Sequence, residues 1–183
     1  LSQIILELLK GLGVSIQIFA ITLLFSLPLG LLVAFGRMSK SKIVSSITKA
    51  YISIMRGTPL MLQLFVVYYG PYYLFHMKLS PTYRNSAVYI GFIIYAAYFA
   101  EIYRSGIQSM PVGQYEAADI LGYTRVQSFF RIIFPQVMKR ILPSITNEVI
   151  TLVKDTSLAF SISVMEMFTK AKALSSSQTS MTP

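Results

Sequence analysis

The residues with the most chemistry to offer lie in the last apolar stretch of the chain. Ser144, Glu148, Thr151 and Asp155 recur at i, i+4, i+7 and i+11, which puts them on one face of a helix. Glu148 and Asp155 are then two turns apart, about 10.5 Å along the axis. An ionisable side chain inside a bilayer costs about 2.5–3.5 kcal/mol on insertion scales, so this stripe faces protein or water and not lipid. Two carboxylates at that separation suit a ligand with a cationic group at each end. The other reading is that Asp155 pairs with a basic side chain on a neighbouring helix. Lys154 is adjacent in sequence but does not share that face. A second pair, Glu101 and Arg104, stands i, i+3 at the end of another apolar stretch, where the two charges neutralise each other. Arg56 lies at the edge of a third, placed either to snorkel to an interface or to brace a neighbouring loop.

Several chemistries are excluded by what the chain lacks. It has no cysteine, which removes disulfides, thiolate metal sites and thiol catalysis. Its one histidine, His76, closes an aromatic-rich run and reads as an interfacial side chain, not as a ligand or base. There is no His-Glu-x-x-His and no Walker A sequence, so neither a zinc hydrolase nor an ATPase is expected. A membrane-embedded enzyme working through serine or aspartate stays open, although no constellation assembles one. No metal and no resident cofactor is expected.

The elements that must position these groups are membrane helices. Hydrophobic residues make up 54% of the 183 and charged ones only 13%, against about a quarter charged in soluble domains. The mean hydropathy is +0.61. The length predicts a single domain over 1–183. The net charge of +9 does not form a basic stripe of the nucleic-acid type; it sits between apolar runs, as in proteins oriented across a bilayer. With about 20 residues needed per span, spans are predicted over Leu12–Phe35, Ala50–Phe75, Ala87–Tyr103 and Ile141–Met165. Their length and the lack of ten-residue alternation predict helices and not barrel strands, with Pro28 and Pro59 tolerated inside them.

Charge sets the orientation. Arg37, Lys40, Lys42 and Lys49 follow the first span, and Arg125, Arg131, Lys139 and Arg140 follow the third; only Lys78 and Arg84 lie between the second and third. The richer loops belong inside the cell, so the N-terminus and the segment after the fourth span are expected outside. Tyr68, Tyr69, Tyr72 and Tyr73 then mark the outer interface. The stretch Ser105–Arg140 is predicted to be a cytoplasmic loop of short helices at the membrane surface, and the Ser- and Thr-rich tail Ser175–Pro183 to be a linker. Leu1 in place of Met is read as a trimmed N-terminus.

That loop carries the most specific signal. Gly113-Gln114-Tyr115-Glu116-Ala117-Ala118-Asp119-Ile120-Leu121-Gly122, followed by Ile133-Phe134-Pro135-Gln136, resembles the EAA loop of ABC importer permeases. Arg56-Gly57-Thr58-Pro59-Leu60 with Gln63, the run Tyr98–Ile107, and Asn147-Glu148 with Lys154-Asp155-Thr156-Ser157-Leu158 are similar to the corresponding spans of bacterial polar amino-acid permeases. Together these matches sample the chain from Arg56 to Leu158. Read alone, Glu116, Ala117 and Ala118 start a helix with small side chains, and Gly122 caps it.

The resemblance implies an all-α, polytopic permease subunit of the bacterial plasma membrane, with a fifth span after residue 183. It implies a coupling helix, carried by Glu116, Ala117, Ala118 and Gly122, that docks on an ATP-hydrolysing partner. It further implies a second permease, identical or homologous, an extracytoplasmic substrate-binding protein, and a substrate pocket to which Ser144, Glu148, Thr151 and Asp155 contribute. The substrate expected is a polar amino acid of cationic type (arginine, lysine or histidine), with cystine or glutamine as alternatives. ATP would be bound by the partner and not by this chain. Arg56, Glu101 and Arg104 are left with structural or gating roles. An ATP-independent carrier is the alternative of another class, and it would have no use for a docking helix.

Overall fold

The computed structural model describes residues 2–78, 80, 83, 86, 88–91 and 94–179, and among them there are helices and turns but no strand. Helix α1 (Ser2–Arg37) rises about 54 Å, well beyond the roughly 30 Å of a bilayer's hydrocarbon core. Ile18, Thr22, Ser26, Gly30 and Ala34 recur every four residues on its buried face. Leu24, Phe25 and Leu32 point outward, Leu24 being 69% exposed. Small and polar inside with large and apolar outside is the reverse of a water-soluble helix, and it matches helix packing in lipid.

The buried face of α1 packs on α4 (Ala96–Gln108). A side chain at Gly30 would put its Cβ 2.8 Å from the Phe99 Cβ and 3.0 Å from the Ala96 carbonyl oxygen. Only glycine allows that approach, and Ala96, Ala97 and Ala100 supply the matching small surface on α4. The α4 helix continues past Tyr103, the expected end of the third span. The start of that span at Ala87 lies outside the described residues, as do Arg84 and residues 180–183.

The second span is not one helix. The chain forms α2 (Lys42–Gly57) and α3 (Leu60–Phe75), bent by 108° across Thr58 and Pro59. Proline lacks an N–H and pushes the preceding residue out of the helical region; Thr58 accordingly has φ −117° and ψ 145°. Gln63 holds the bend. Its buried Nε2 donates to the carbonyls of Met55 (2.7 Å) and Thr58 (3.0 Å) and to the Thr58 hydroxyl (2.9 Å). Of the helices in the described residues, α1 alone is long and apolar enough to span by itself, while α2 and α3 together pass the same test as a broken pair.

One further expectation changes along Ser105–Arg140. The first half does form a separate short helix, α5 (Val112–Ile120). The second half is not a separate short helix. The α6 turn (Arg125–Ser128), a π-helical turn (Phe129–Ile133) and α7 (Phe134–Asp155) run on without a break. Pro135 sits in the first turn of α7, a position where its missing N–H does least harm, and the widened turn before it accommodates its ring.

The fourth span also ends earlier than Met165. α7 stops at Asp155, and Thr156–Ile162 form a 3-10 helix ending at Ser163 with φ 60°. The hydroxyls of Thr156 and Ser157 donate to the Val153 and Lys154 carbonyls, at 2.8 and 2.7 Å, three residues back. Such local bonds compete with the α-helical ladder and tighten it. The expected linker is helical as far as Thr179, within α8 (Met167–Thr179). Its start is capped by Glu166, and Met167 N–H donates to the Ser15 hydroxyl of α1 at 3.3 Å.

Candidate functional site

Helix α7 carries Ser144, Glu148, Thr151 and Asp155 on one continuous run. Glu148 and Asp155 are half-buried, whereas Ser144 and Thr151 are exposed. The Thr151 hydroxyl donates to the Asn147 carbonyl at 3.0 Å, leaving its oxygen free to accept. Across from this face stands Tyr95, fully buried at the start of α4. Its hydroxyl donates to Asp155 Oδ2 at 3.5 Å and also interacts with the Glu148 carboxylate. Tyr98 stacks on Tyr95 with ring centroids 4.7 Å apart and planes 24° from parallel. Neither Glu148 nor Asp155 forms an ion pair among the described residues. The partner of Asp155 in this structure is a phenol and not a basic side chain. Two carboxylates and two tyrosine rings stand together here, and both kinds of group attract positive charge.

Sequence reading passes over Tyr95, and it takes Tyr98 only as part of the run Tyr98–Ile107 and not as a site residue. Their signal was available only as aromatics at i, i+3 beside a run of alanines. Glu166, 1% exposed, was missed as well. Its Oε2 accepts from Phe168 N–H and its Oε1 from Thr169 N–H, both at 2.7 Å, with the Thr169 hydroxyl at 2.8 Å. These bonds satisfy donors that the first turn of α8 would otherwise leave unpaired.

Midway along α4, Glu101 accepts from Arg104, with Nε at 3.0 Å and Nη2 completing a two-point contact. Arg56 of α2 approaches Glu101 at 4.0 Å. Thus Arg56, Glu101 and Arg104 come together, with Arg56 facing α4. Beyond this cluster, α5 projects from the bundle. Glu116 and Ala117 are exposed, while Ala118 is fully buried against the body. Gly122 follows the last turn with φ +76°. Gly122 N–H bonds to Asp119 O (3.0 Å) and Tyr123 N–H to Ala118 O (3.1 Å), the paired bonds of a Schellman motif. Burial pushes the Tyr115 phenol above its ordinary pKa.

The mount of α5 is built from side chains. Gln136 donates to Gln114 at 3.0 Å, Arg140 donates to the Ser109 carbonyl and hydroxyl, and Thr124 and Gln127 form a reciprocal capping box. Around α5 large apolar groups face outward: Val112, Ile120, Leu121 and Val126, with Ile120 86% exposed. A cluster of this kind marks a contact surface.

The chain matches, over residues 26–181, the family described as the binding-protein-dependent transport system inner membrane component. It belongs to that family. Among its relatives in this permease family is the L-cystine transport system permease protein TcyL of Bacillus subtilis (strain 168), 42% identical over 89% of this chain and 70% of the relative. The nopaline transport system permease protein NocM of Agrobacterium fabrum (strain C58 / ATCC 33970) is 37% identical over 94% of this chain and 76% of the relative. The fold is similar to a solved amino acid ABC transporter described with histidines, with a TM-score of 0.80 at 32% identity, covering 94% of this chain and 79% of the other. The protein is therefore a permease subunit of the amino-acid ABC importer type, an all-helical polytopic membrane protein. Its EAA-like segment is the helix α5 that stands out from the bundle.

Proposed function

We propose that this permease carries a cationic amino acid, and that Glu148 and Asp155 hold its positive groups. The carrying observation is the pair of half-buried carboxylates on α7, without an ion partner among the described residues and flanked by the Tyr95–Tyr98 stack. Thr151 and Ser144 extend the same face. The similarity to a transporter described with histidines supports this substrate class. A second reading is cystine, favoured by the relative TcyL; cystine also bears two ammonium groups, and the same carboxylates would meet them.

The proposed machinery has an ATPase docked on α5 through Glu116, Ala117 and the apolar groups around them, on the cytoplasmic side. A second permease, identical or homologous, completes the pathway, and a binding protein delivers substrate from outside, the side of the N-terminus. ATP binding and release by the partner drives alternating access. The plasma membrane is the site of action.

The test is uptake into proteoliposomes holding the transporter complex, with ATP on the ATPase side and labelled arginine outside. Competition by lysine and histidine is expected, with cystine competing if the second reading holds. Glu148→Gln and Asp155→Asn each remove a charged contact of about 1.5–3 kcal/mol and should raise half-saturation roughly tenfold to a hundredfold. Unchanged arginine uptake in both variants overturns the assignment. Competition by glutamine alone would return both carboxylates to structural roles.

A further inference from the structure

A second polar site lies away from the α7 carboxylates. It is a cavity of about 500 Å³ lined by Arg37, Lys49, Ser53, Arg56, Glu101 and Arg104, within the size range of small-molecule sites. The end of α1, the cationic face of α2 and the last turns of α4 form its walls. Within it the charges do not balance. Glu101 is the single carboxylate and is engaged by Arg104 at two points, with Arg56 at 4.0 Å. Among the described residues the Arg37 guanidinium donates to the neutral Ser45 hydroxyl alone, at 3.0 Å. Lys49 has no hydrogen bond or ion pair among the described residues. Four cations against one carboxylate leave three positive charges facing one space.

Such a concentration attracts anions, most strongly where its side chains are partly withdrawn from screening by solvent. Glu101 lies seven residues before the end of α4 at Gln108, about 10.5 Å of helix rise. That places the cavity towards the end of the bundle that carries α5, and its charged and hydroxyl lining suits a lipid headgroup and not acyl chains. On the cytoplasmic side, where the proposed function puts α5 and on which this inference rests, basic pockets between membrane helices bind phosphate-bearing headgroups. Guanidinium groups suit phosphate in particular, because they donate two parallel hydrogen bonds to its oxygens.

We infer that this cavity binds a phosphate-bearing anion, the headgroup of an anionic phospholipid, through Arg37, Lys49 and Arg56. The charged headgroup ties the end of α1 to α2 and α4. Its occupant is thus set by the membrane and not by the transported solute. The inference is independent of which amino acid the α7 site carries.

The test uses the whole transporter complex reconstituted in vesicles of phosphatidylcholine with phosphatidylglycerol. Bound lipid is counted by native mass spectrometry. Wild-type protein should retain phosphatidylglycerol. The double variant Arg37→Gln/Lys49→Gln should bind it about thirty-fold more weakly, the effect of two lost headgroup cations. Arg37→Lys/Lys49→Arg, which keeps the charge, should behave as wild type, and so should Arg131→Gln/Lys139→Gln, which removes two exposed cations elsewhere at the same end.

Equal retention in Arg37→Gln/Lys49→Gln and wild type overturns the inference, as does an equal loss in Arg131→Gln/Lys139→Gln. Loss of the ATPase subunit from Arg37→Gln/Lys49→Gln with phosphatidylglycerol still bound also overturns it, and marks the cavity as a protein contact. A parallel arm adds inorganic phosphate in phosphatidylcholine alone. Thermal stabilisation there, present in wild type and lost in Arg37→Gln/Lys49→Gln, without retention of phosphatidylglycerol, supports the phosphate site and gives it to the soluble anion.

Discussion

Gly122 is in the left-handed region at φ +76°, and no heavy atom stands within 4 Å of where its Cβ would be. Steric crowding therefore plays no part in its choice; backbone conformation does. Alanine in that region costs about 1–2 kcal/mol, so Gly122→Ala should fray the end of α5 by that amount while leaving the bundle intact. Hydrogen exchange at the amides of Gly122 and Tyr123, which close the motif, should quicken by roughly five- to thirty-fold in the variant protein; unchanged exchange would show that the turn tolerates a side chain. The same residue was readable beforehand, since glycine after a helical run signals a cap. Glu148 and Asp155 were readable too, because a four- and seven-residue spacing fixes a helical face. Their neighbour Tyr95 was not, since it is sixty residues away from Asp155 and only the packing of α4 on α7 joins them.

Among the elements, the bend between α2 and α3 departs furthest from its sequence reading. Hydropathy sees an unbroken apolar run from Ala50 to Phe75 and has no term for direction. The cause was visible as Thr58-Pro59, but a proline in a membrane helix is compatible with a straight span, a kink or a break. Gln63 decides between them through three bonds to Met55 and Thr58. Gln63→Leu keeps the volume and removes those donors, at a cost of about 0.5–1.5 kcal/mol for each hydrogen bond lost. The expected result is a fall of several degrees in melting temperature, whereas an unchanged value would assign the bend to Pro59 alone. The start of α8 offers a similar case. Composition reads a Ser/Thr tail as a linker, yet Glu166 supplies two first-turn acceptors from a buried position. Glu166→Ala removes a cap of about 1 kcal/mol, and exchange of the Phe168 and Thr169 amides should rise about fivefold.

For the whole molecule, apolar exposure has two meanings. Along α1, Leu24, Phe25 and Leu32 are exposed over the middle of a helix long enough to cross a bilayer, and lipid covers them. Around α5, Val112, Ile120, Leu121 and Val126 are exposed on a short element held out by polar braces: Gln136 on Gln114, and Arg140 on Ser109. Polar groups fixed this close to a membrane surface do not belong in hydrocarbon, so lipid is a poor cover for these four and a protein groove a good one. In the proposed docking, Ile120 is the most exposed of them, and its burial would contribute about 1.5–3 kcal/mol. Ile120→Asp replaces that gain with the cost of a buried charge. Because its side chain is exposed in the isolated subunit, the fold should be unaffected, with the melting temperature of the subunit unchanged. Recovery of the ATPase subunit in co-purification should fall more than tenfold, and ATP-driven uptake with it. Retention of the ATPase at wild-type levels would place the docking surface elsewhere. Loss of both melting temperature and ATPase would instead show that Ile120 supports α5 itself, so measuring the two together separates docking from folding.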